Sequence, residues 1–292
     1  MTSEAATITA TDLVAELVAR LGEDAVLWRP YDLTLYEYDA SSLARAHPDA
    51  VVLPRGTADV SAVMRLCYER GVPCTPRGAG TGLSGGSVPC DGGVVLSFAR
   101  MNRILEIDAD NRYAVVEPGV INLHLSNATR PHGLYYVPDP SSQRVCTIGG
   151  NVGENSGGAH TLLHGVTVNH VRALEFVLPA GEVMTTGAVA EDTPGYDLTG
   201  LLVGAEGTLG AATKIWVKLT PLPEATRTLL AVFERPHQAS AAVSAIVAHG
   251  TVPAAMEMLD NAAIEAVEKA YHAGYPTDAG AVLLIEVEGM TD

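Results

Sequence analysis

Apolar positions near the N-terminus follow helical spacing first and strand spacing afterwards. A stripe at helical spacing over residues 12–21 predicts a helix. Residues 49–54 form a continuous apolar run that is typical of a buried strand. Thr57 is placed to cap a helix that Gly71 would end, and residues 72–75 predict the next strand. Together these segments predict a β-α-β unit.

The middle of the chain predicts strands paired as hairpins and one long aperiodic stretch. Turn signals at Asp110-Asn111 and at Ala180-Gly181 separate runs with strand character. Residues 138–158 show almost no periodicity, and a loop of that length inside a domain is usually functional. The expected elements are strands over residues 92–98, 104–108, 113–117, 171–178, 182–186 and 211–219 and a helix over residues 121–130.

Pro221 and Pro223 interrupt the pattern, and a domain boundary is expected near Glu224. The elements predicted beyond it are strands over residues 227–233, 254–259 and 281–287 and helices over residues 238–248 and 262–273. A series that stops on a strand leaves part of a sheet uncovered, so we expect the sequence to be cut short. The predicted regions are an N-terminal helical extension over residues 1–46, a domain over residues 47–224 and the first part of a second domain over residues 225–292.

Composition narrows the class of protein. Apolar residues make up 47% of the chain, and the formal net charge is −16, from 18 basic and 34 acidic residues. A surface this acidic repels nucleic acid and anionic lipid. No apolar run is long enough to span a bilayer, and the first eleven residues lack the features of a secretory signal. We therefore predict a cytoplasmic protein without a transmembrane segment, and peripheral attachment at the inner face of the membrane stays open.

Cysteines and histidines do not predict a metal site. The cysteine spacings match no zinc or iron–sulfur pattern, which favours free thiols in a reducing cytosol. His160 and His164 have helical spacing and His170 lies nearby, but no acidic partner stands at a suitable interval, so we interpret them as loop or supporting histidines. The four cysteines are Cys67, Cys74, Cys90 and Cys146.

The 29 glycines cluster, and the first cluster covers residues 76–86 after a short strand. Glycine at every second position allows left-handed backbone and close approach to a ligand, and successive amides can then converge on an anion. Thr81 and Ser84 add hydroxyl donors. A Walker loop is excluded because no Gly-Lys-Ser/Thr follows, and a Rossmann loop is disfavoured because the residues after Gly85 do not resemble a helix start. A flexible surface loop remains the alternative.

The second cluster covers residues 147–158, with five glycines in the ten positions from Gly149. It also carries hydroxyl and amide side chains, and it follows the proline-containing segment 138–142. Two glycine-rich segments far apart in the sequence favour one ligand long enough to touch both. A dinucleotide fits, with its diphosphate at one segment and its ring and ribose along the other.

These motifs together resemble a known family. Residues 76–86, 138–142, 147–158 and 201–218 resemble the FAD-binding domain of the vanillyl-alcohol-oxidase type, and residues 35–55 resemble its N-terminal stretch. The pattern is similar to the group of the glycolate oxidase FAD subunit and the D-lactate and D-2-hydroxyglutarate dehydrogenases. This resemblance implies an α+β protein, with a two-subdomain FAD-binding PCMH-type fold followed by an incomplete ferredoxin-like α+β cap domain.

The resemblance also implies roles for individual residues. The first cluster would cradle the FAD diphosphate, the second would line the isoalloxazine and ribityl region, and residues near 206–210 would lie at the adenine end. For Gly207 and Gly210 a tight turn before a strand is an equal alternative. The implied cofactor-binding residues are Pro76, Arg77, Gly78, Ala79, Gly80, Thr81, Gly82, Ser84, Pro138, Asp139, Thr147, Ile148, Gly149, Gly150, Asn151, Glu154, Asn155, Ser156, Gly157, Gly158, Glu206, Gly207 and Gly210.

The implied activity is FAD-dependent oxidation of a 2-hydroxy acid, of the glycolate or D-lactate type, to the 2-oxo acid. Electrons would pass to a non-oxygen acceptor, such as an iron–sulfur or second FAD subunit. Relatives that attach FAD covalently have a histidine where this chain has Thr81, so noncovalent FAD is expected. Their catalytic base and metal ligands lie downstream of the FAD domain, so no catalytic or metal-binding residue is expected here, and residues 1–292 alone are expected to be inactive.

Two alternatives to this activity remain open. One is a noncatalytic FAD-binding subunit of an electron-transfer complex. The other is a reductase of a cell-wall precursor that shares the fold and uses NADPH, although the segment 138–142 does not favour it. A continuing reading frame rich in histidine and acidic residues would support the enzyme over the noncatalytic subunit.

Overall fold

In the computed structural model of the protein, four β-sheets organise the described residues, which are 8–41, 43–89, 92–188 and 194–290. The first seven residues of the predicted N-terminal extension and Cys90 lie outside this part of the chain. None of the helices within these ranges has the length and apolar character needed to cross a bilayer.

The first sheet has four strands in the order β1-β2-β4-β3, in which β2 and β3 flank β4 and run parallel to it. Strand β1 pairs antiparallel with β2 at the edge. Helix α1 buries Leu13 and Leu17 against the core of this sheet, and α3 ends at Gly71 in a left-handed conformation. The elements are α1 (Ala10–Leu21), β1 (Val26–Leu27), α2 (Pro30–Leu33), β2 (Ala50–Val52), α3 (Thr57–Arg70), β3 (Cys74–Arg77) and β4 (Val94–Ser97).

The second sheet has five antiparallel strands in the order β5-β6-β10-β8-β9, and a short pair, β7 and β11, lies beside it. Its main core includes Leu174 and Ile215 from the strands and Ile148 from a helix. The elements are β5 (Ile104–Asp108), β6 (Tyr113–Val116), α4 (Asn122–Thr129), β7 (Leu134–Tyr135), α5 (Ile148–Glu154), α6 (Thr161–His164), β8 (Val171–Val177), β9 (Val183–Gly187), α7 (Leu198–Leu202), β10 (Ala211–Lys218) and β11 (Thr220–Pro221).

A third unit follows, built on an antiparallel sheet in the order β12-β14-β13. The last strand in sequence is therefore the central strand of this sheet. Ile264 and Val282 lie in its small core. The elements are β12 (Ala225–Phe233), α8 (Pro236–Ala248), β13 (Ala255–Asp260), α9 (Asn261–Tyr271) and β14 (Ala281–Gly289).

The longer elements agree with the sequence pattern, and one expectation was wrong. Residues 148–154, expected to lie in an aperiodic loop, form helix α5. Glycine disfavours a helix by about 1 kcal/mol per residue relative to alanine, so composition argued against one here. The helix forms because its surroundings satisfy its first amides: Ile148 N donates to Val120 O over 2.8 Å, and Gly149 N donates to Pro118 O over 2.8 Å.

Candidate functional site

The first glycine-rich segment leaves the sheet at the carboxyl end of β3. Strand β3 ends at Arg77, and the chain then turns through residues 78–86 without regular structure. Gly80 has φ +70°, a left-handed conformation that favours glycine. The backbone amides at Ala79, Gly80, Thr81 and Gly82 donate no hydrogen bond to any described residue. The segment therefore presents four consecutive free donors.

Two charged side chains hold this segment in shape. The guanidinium of Arg77 is buried, and its Nη1 donates to Ser87 O over 3.0 Å. The carboxylate of Asp39 accepts a hydrogen bond from Gly85 N over 2.8 Å. Burial would raise the pKa of Asp39, but hydrogen bonds from Ser41 and Gly85 and the charge of Arg77 outweigh it and lower the pKa below 3.8. Asp39 is consequently a fixed anion beneath the loop.

The second glycine-rich segment is ordered by helix α5. Thr147 caps the helix, and its Oγ1 accepts a hydrogen bond from Gly150 N over 3.2 Å. Because Asn151 N donates to Thr147 O over 2.9 Å, the amides of residues 148–151 all have partners within the protein. A Cβ at Gly149 would lie 2.5 Å from Pro118 Cβ. Glycine is needed here for close packing, not for free donors.

The two segments meet in one pocket of about 300 Å³. A Cβ at Gly78 would lie 2.5 Å from Thr147 Oγ1 and 3.5 Å from Gly150 Cα, so the backbones touch only because Gly78 has no side chain. The predicted residues that line the pocket are Pro76, Arg77, Gly78, Ala79, Gly80, Thr81, Gly82, Thr147, Gly149, Gly150, Asn151, Glu154, Ser156, Glu206, Gly207 and Gly210.

Residues 206–210 complete the pocket from the turn before β10. Glu206 N donates to Gly153 O over 3.0 Å, which ties this turn to helix α5. Gly210 has φ +136° directly before β10. It therefore forms the turn and also lines the pocket. A Cβ at Gly86 would lie 3.2 Å from Glu154 Oε1 and 3.7 Å from Glu206 Oε2. Two carboxylates therefore face this end of the pocket.

Seven predicted residues lie outside the lining and support it. Ile148 is buried in the core, and Ser84 Oγ donates to Glu154 Oε2 over 2.8 Å. Asn155 Oδ1 accepts from Val168 N over 2.9 Å. A Cβ at Gly157 would lie 2.8 Å from Thr161 Oγ1. The remaining three are Pro138, Asp139 and Gly158, which pack around one another or bond to neighbours.

Sequence reasoning missed supporting residues with no local signal. Asn122 is buried, and its Nδ2 donates to Pro138 O over 2.8 Å and to Asn151 Oδ1 over 3.0 Å. It joins the segment 138–142 to helix α5. Aromatic and apolar walls were missed as well, among them Phe98, Pro118, Phe176 and Leu202. A buried asparagine at the start of a helix looks like any other polar helix residue in a single sequence.

Two of the three histidines, His160 and His164, have acidic partners. His160 Nδ1 is 2.6 Å from Asp139 Oδ2, and its Nε2 is 2.9 Å from Glu286 Oε1. The bond to Asp139 and that to Glu286 outweigh desolvation and raise the pKa of His160 to about 9. His164 Nε2 is 3.3 Å from Glu288 Oε2. The absence of an acidic partner, inferred from spacing, was wrong, because Glu286 is 126 residues away in sequence.

Comparison with known proteins assigns the class. Residues 48–187 match the FAD binding domain family, and residues 222–292 match the C-terminal domain family of FAD linked oxidases. The chain therefore carries an FAD binding domain and part of the C-terminal domain of FAD linked oxidases, and its cofactor is FAD. The α+β, PCMH-type fold expected from the sequence is confirmed.

Among curated relatives, the chain is 47% identical to glycolate oxidase subunit GlcD of Escherichia coli (strain K12), covering 91% of this chain and 53% of the relative. It is 49% identical to glycolate oxidase subunit GlcD of Bacillus subtilis (strain 168), covering 87% and 54%. It is 36% identical to D-lactate dehydrogenase of Anaerostipes hadrus, covering 85% and 54%. The chain thus spans about half the length of these relatives.

A solved structure shows the same fold. An alkyldihydroxyacetonephosphate synthase superimposes with a TM-score of 0.82 at 21% sequence identity, over 97% of this chain and 57% of that one. At this identity the likeness concerns the fold alone.

Proposed function

We propose that the pocket between the two glycine-rich segments binds FAD, and that the protein uses it to oxidise a 2-hydroxy acid of the glycolate or D-lactate type. Four free amides on a rigid loop support the cofactor site. The names of the relatives, glycolate oxidase subunit and D-lactate dehydrogenase, support the substrate class.

The residues present fit the diphosphate of FAD. Consecutive free amides at 79–82 line the pocket, and an anion-binding nest is built from such amides. The backbone of Gly78 forms part of that wall in a space that a side chain would fill. The carboxylates of Glu154 and Glu206 lie beside Gly82 and Gly86 of the same loop, and they are acceptors suited to the hydroxyl and amino groups of a nucleotide.

When bound, FAD supplies hydride-accepting chemistry. The residues of this chain would position it: helix α5 contributes Gly149, Gly150 and Gly153 to the lining, while Phe98 and Phe176 contribute apolar walls that exclude water. Thr81 lines the pocket at the position where some relatives carry a histidine, so we infer that FAD is held without a covalent bond. Because two relatives are named as subunits, we propose a second chain, an iron–sulfur or FAD subunit, as the electron acceptor.

Binding and chemistry are tested in sequence. FAD is titrated while the midpoint of thermal unfolding is followed, since a ligand bound only by the folded state raises it. We expect a rise with FAD and a smaller one with riboflavin, which lacks the diphosphate. Acid precipitation should then release the flavin into the supernatant.

Because residues 1–292 alone are expected to be inactive, the FAD-loaded protein for this step is produced from the complete reading frame and mixed without oxygen with glycolate, D-lactate or L-lactate. Bleaching of the visible flavin absorbance by glycolate or D-lactate is expected. No rise in the unfolding midpoint at saturating FAD would contradict the cofactor site. A loaded protein that none of the acids bleaches would contradict the substrate class while leaving the site intact.

A further inference from the structure

Two histidines and two glutamates face each other where the FAD-binding domain meets β14. His160 and His164 stand at the two ends of helix α6, four residues apart and on one face. Glu286 and Glu288 are two residues apart on β14 and therefore project from the same face of the strand. His160 Nε2 is 2.9 Å from Glu286 Oε1, and His164 Nε2 is 3.3 Å from Glu288 Oε2.

Asp139 stands behind this array and orients it. Its Oδ2 lies 2.6 Å from His160 Nδ1, so Nδ1 carries the proton and Nε2 is directed at the glutamates. A carboxylate that holds the far nitrogen of an imidazole is the usual second partner of a metal-binding histidine. The sequence thus places an oriented imidazole nitrogen opposite carboxylate oxygens.

The array concentrates negative charge in a partly buried place. The five side chains are 15% to 30% exposed, and three of them are carboxylates. Within the described ranges no lysine or arginine forms an ion pair with Asp139, Glu286 or Glu288. Carboxylates out of bulk water need a paired cation or a coordinated metal. The His160 imidazolium offsets one of the three negative charges, whereas a divalent ion bound in place of its Nε2 proton would offset two.

The distances allow coordination. One ligand atom each from His160, Glu286 and Glu288 lies within 4.8 Å of the other two. Tetrahedral ligands about 2.0–2.2 Å from a zinc ion stand about 3.3–3.6 Å apart, so shifts of up to about 1.5 Å would close the set. His164 Nε2 lies 3.3 Å from Glu288 Oε2 but outside this set of three, so it would have to move closer to the other two ligands to add a fourth. Imidazole nitrogen with carboxylate oxygen is a donor set suited to zinc and neighbouring divalent metals.

We propose that His160, Glu286 and Glu288 bind a divalent transition-metal ion of the zinc class, with His164 as fourth ligand and Asp139 as the residue that positions His160. The ion bridges helix α6 of the FAD-binding domain and strand β14. None of these residues matches the metal ligands that the family resemblance implies, which are expected downstream of the FAD-binding domain. It does not depend on the FAD site.

The test uses the metal alone. The protein is stripped with a chelator and titrated with Zn²⁺ by calorimetry, and with Co²⁺ by visible absorption. We expect saturation at a single ion per chain, a rise in the unfolding midpoint, and Co²⁺ bands without thiolate charge transfer, because the described cysteines lie elsewhere. The variant E286Q/E288Q should lose at least about 100-fold in affinity, and Asp139→Asn about 10–100-fold.

His47→Gln is the matched control, since His47 also pairs with a carboxylate, Glu37 at 3.0 Å, but outside the array. It should leave Zn²⁺ affinity unchanged. Unfolding midpoints of the metal-free variants show whether each variant folds. If E286Q/E288Q does not fold, Asp139→Asn is used in its place for the comparison of Zn²⁺ affinity. Three results would each overturn the site: no saturable Zn²⁺ binding to the metal-free protein, wild-type Zn²⁺ affinity in the folded ligand variants, or a cobalt–thiolate absorption band. His160 would then be a protonated bridge between carboxylates.

Discussion

The two glycine-rich segments have similar composition and opposite physical roles. In the first, residues 79–82 keep their amides free, and Arg77 and Asp39 hold the loop open. In the second, the amides of residues 148–151 are all satisfied within the protein, and glycine allows a helix to pack against Pro118 and Gly78. A high density of glycine therefore indicates the walls of a pocket, but it does not show which wall supplies hydrogen-bond donors and which one allows close packing.

The largest effect on the free energy of unfolding is expected in the second glycine-rich segment, where glycine allows close packing. Gly149→Ala places a Cβ 2.5 Å from Pro118 Cβ and 2.9 Å from Pro118 O, contacts that only a backbone shift can relieve. We expect a loss of about 3 kcal/mol in the free energy of unfolding, measured by urea denaturation without FAD. A variant as stable as the wild type would show that helix α5 is not closely packed.

The next largest effect on stability is expected at Asp39, which holds the loop over residues 78–86 in place. Asp39→Asn replaces an acceptor of several hydrogen bonds with a group that also donates, and we expect a loss of about 2 kcal/mol at neutral pH. Because the folded pKa is lowered, the stabilisation is complete above the ordinary pKa of 3.8 and is lost as the pH falls through the folded value. The difference between wild type and variant should therefore shrink in strong acid.

Asp32→Asn is the control for that measurement, because the Asp32 side chain makes no hydrogen bond to any described residue. Its unfolding free energy should follow the wild type at every pH. A constant difference between Asp39→Asn and the wild type across the acid range would refute the role assigned to the Asp39 charge.

A smaller effect on stability should accompany a clear effect on binding in the open loop. Gly80→Ala strains a residue at φ +70° and directs a Cβ at the Arg77 guanidinium, at a cost of about 1 kcal/mol. We expect FAD affinity, from fluorescence titration, to fall at least tenfold, about 1.4 kcal/mol. Gly85→Ala shares the strain at φ +85° but meets nothing within 4 Å, so it should keep its FAD affinity. Equal losses in both variants would mean that strain alone weakens binding.

The smallest expected effect on the free energy of unfolding is a stabilisation, whereas the substitutions above destabilise the protein. Gly153 lies inside helix α5, and a Cβ there would meet nothing within 4 Å. Gly153→Ala should therefore stabilise the FAD-free protein by about 0.5–1 kcal/mol. Because Gly153 lines the pocket, the same variant should bind FAD more weakly. Tighter FAD binding would place the cofactor away from this helix.

The sequence pattern predicted the elements that depend on residues close together in the chain. Helix α3, the hairpins and the alternating third unit follow from apolar spacing, turn residues and caps, and the two glycine clusters line one pocket, as a shared ligand requires. Helix α5 was not predicted because the carbonyls of Val120 and Pro118, which lie in another segment, stabilise it. The partners of His160 escaped for the same reason, since Glu286 joins it only through the fold. Long-range contacts of this kind leave no periodic trace.

The pairing of β1 with β2 bears on how the protein is handled in the laboratory. The matched FAD binding domain begins at residue 48, yet Leu13 and Leu17 of α1 fill the core of the first sheet, and Val26 lies opposite Val52. Trimming the gene to the family boundary would leave β2 as an unpaired edge beside an uncovered apolar surface. Such a fragment would aggregate during expression, so soluble yield depends on keeping the N-terminal segment.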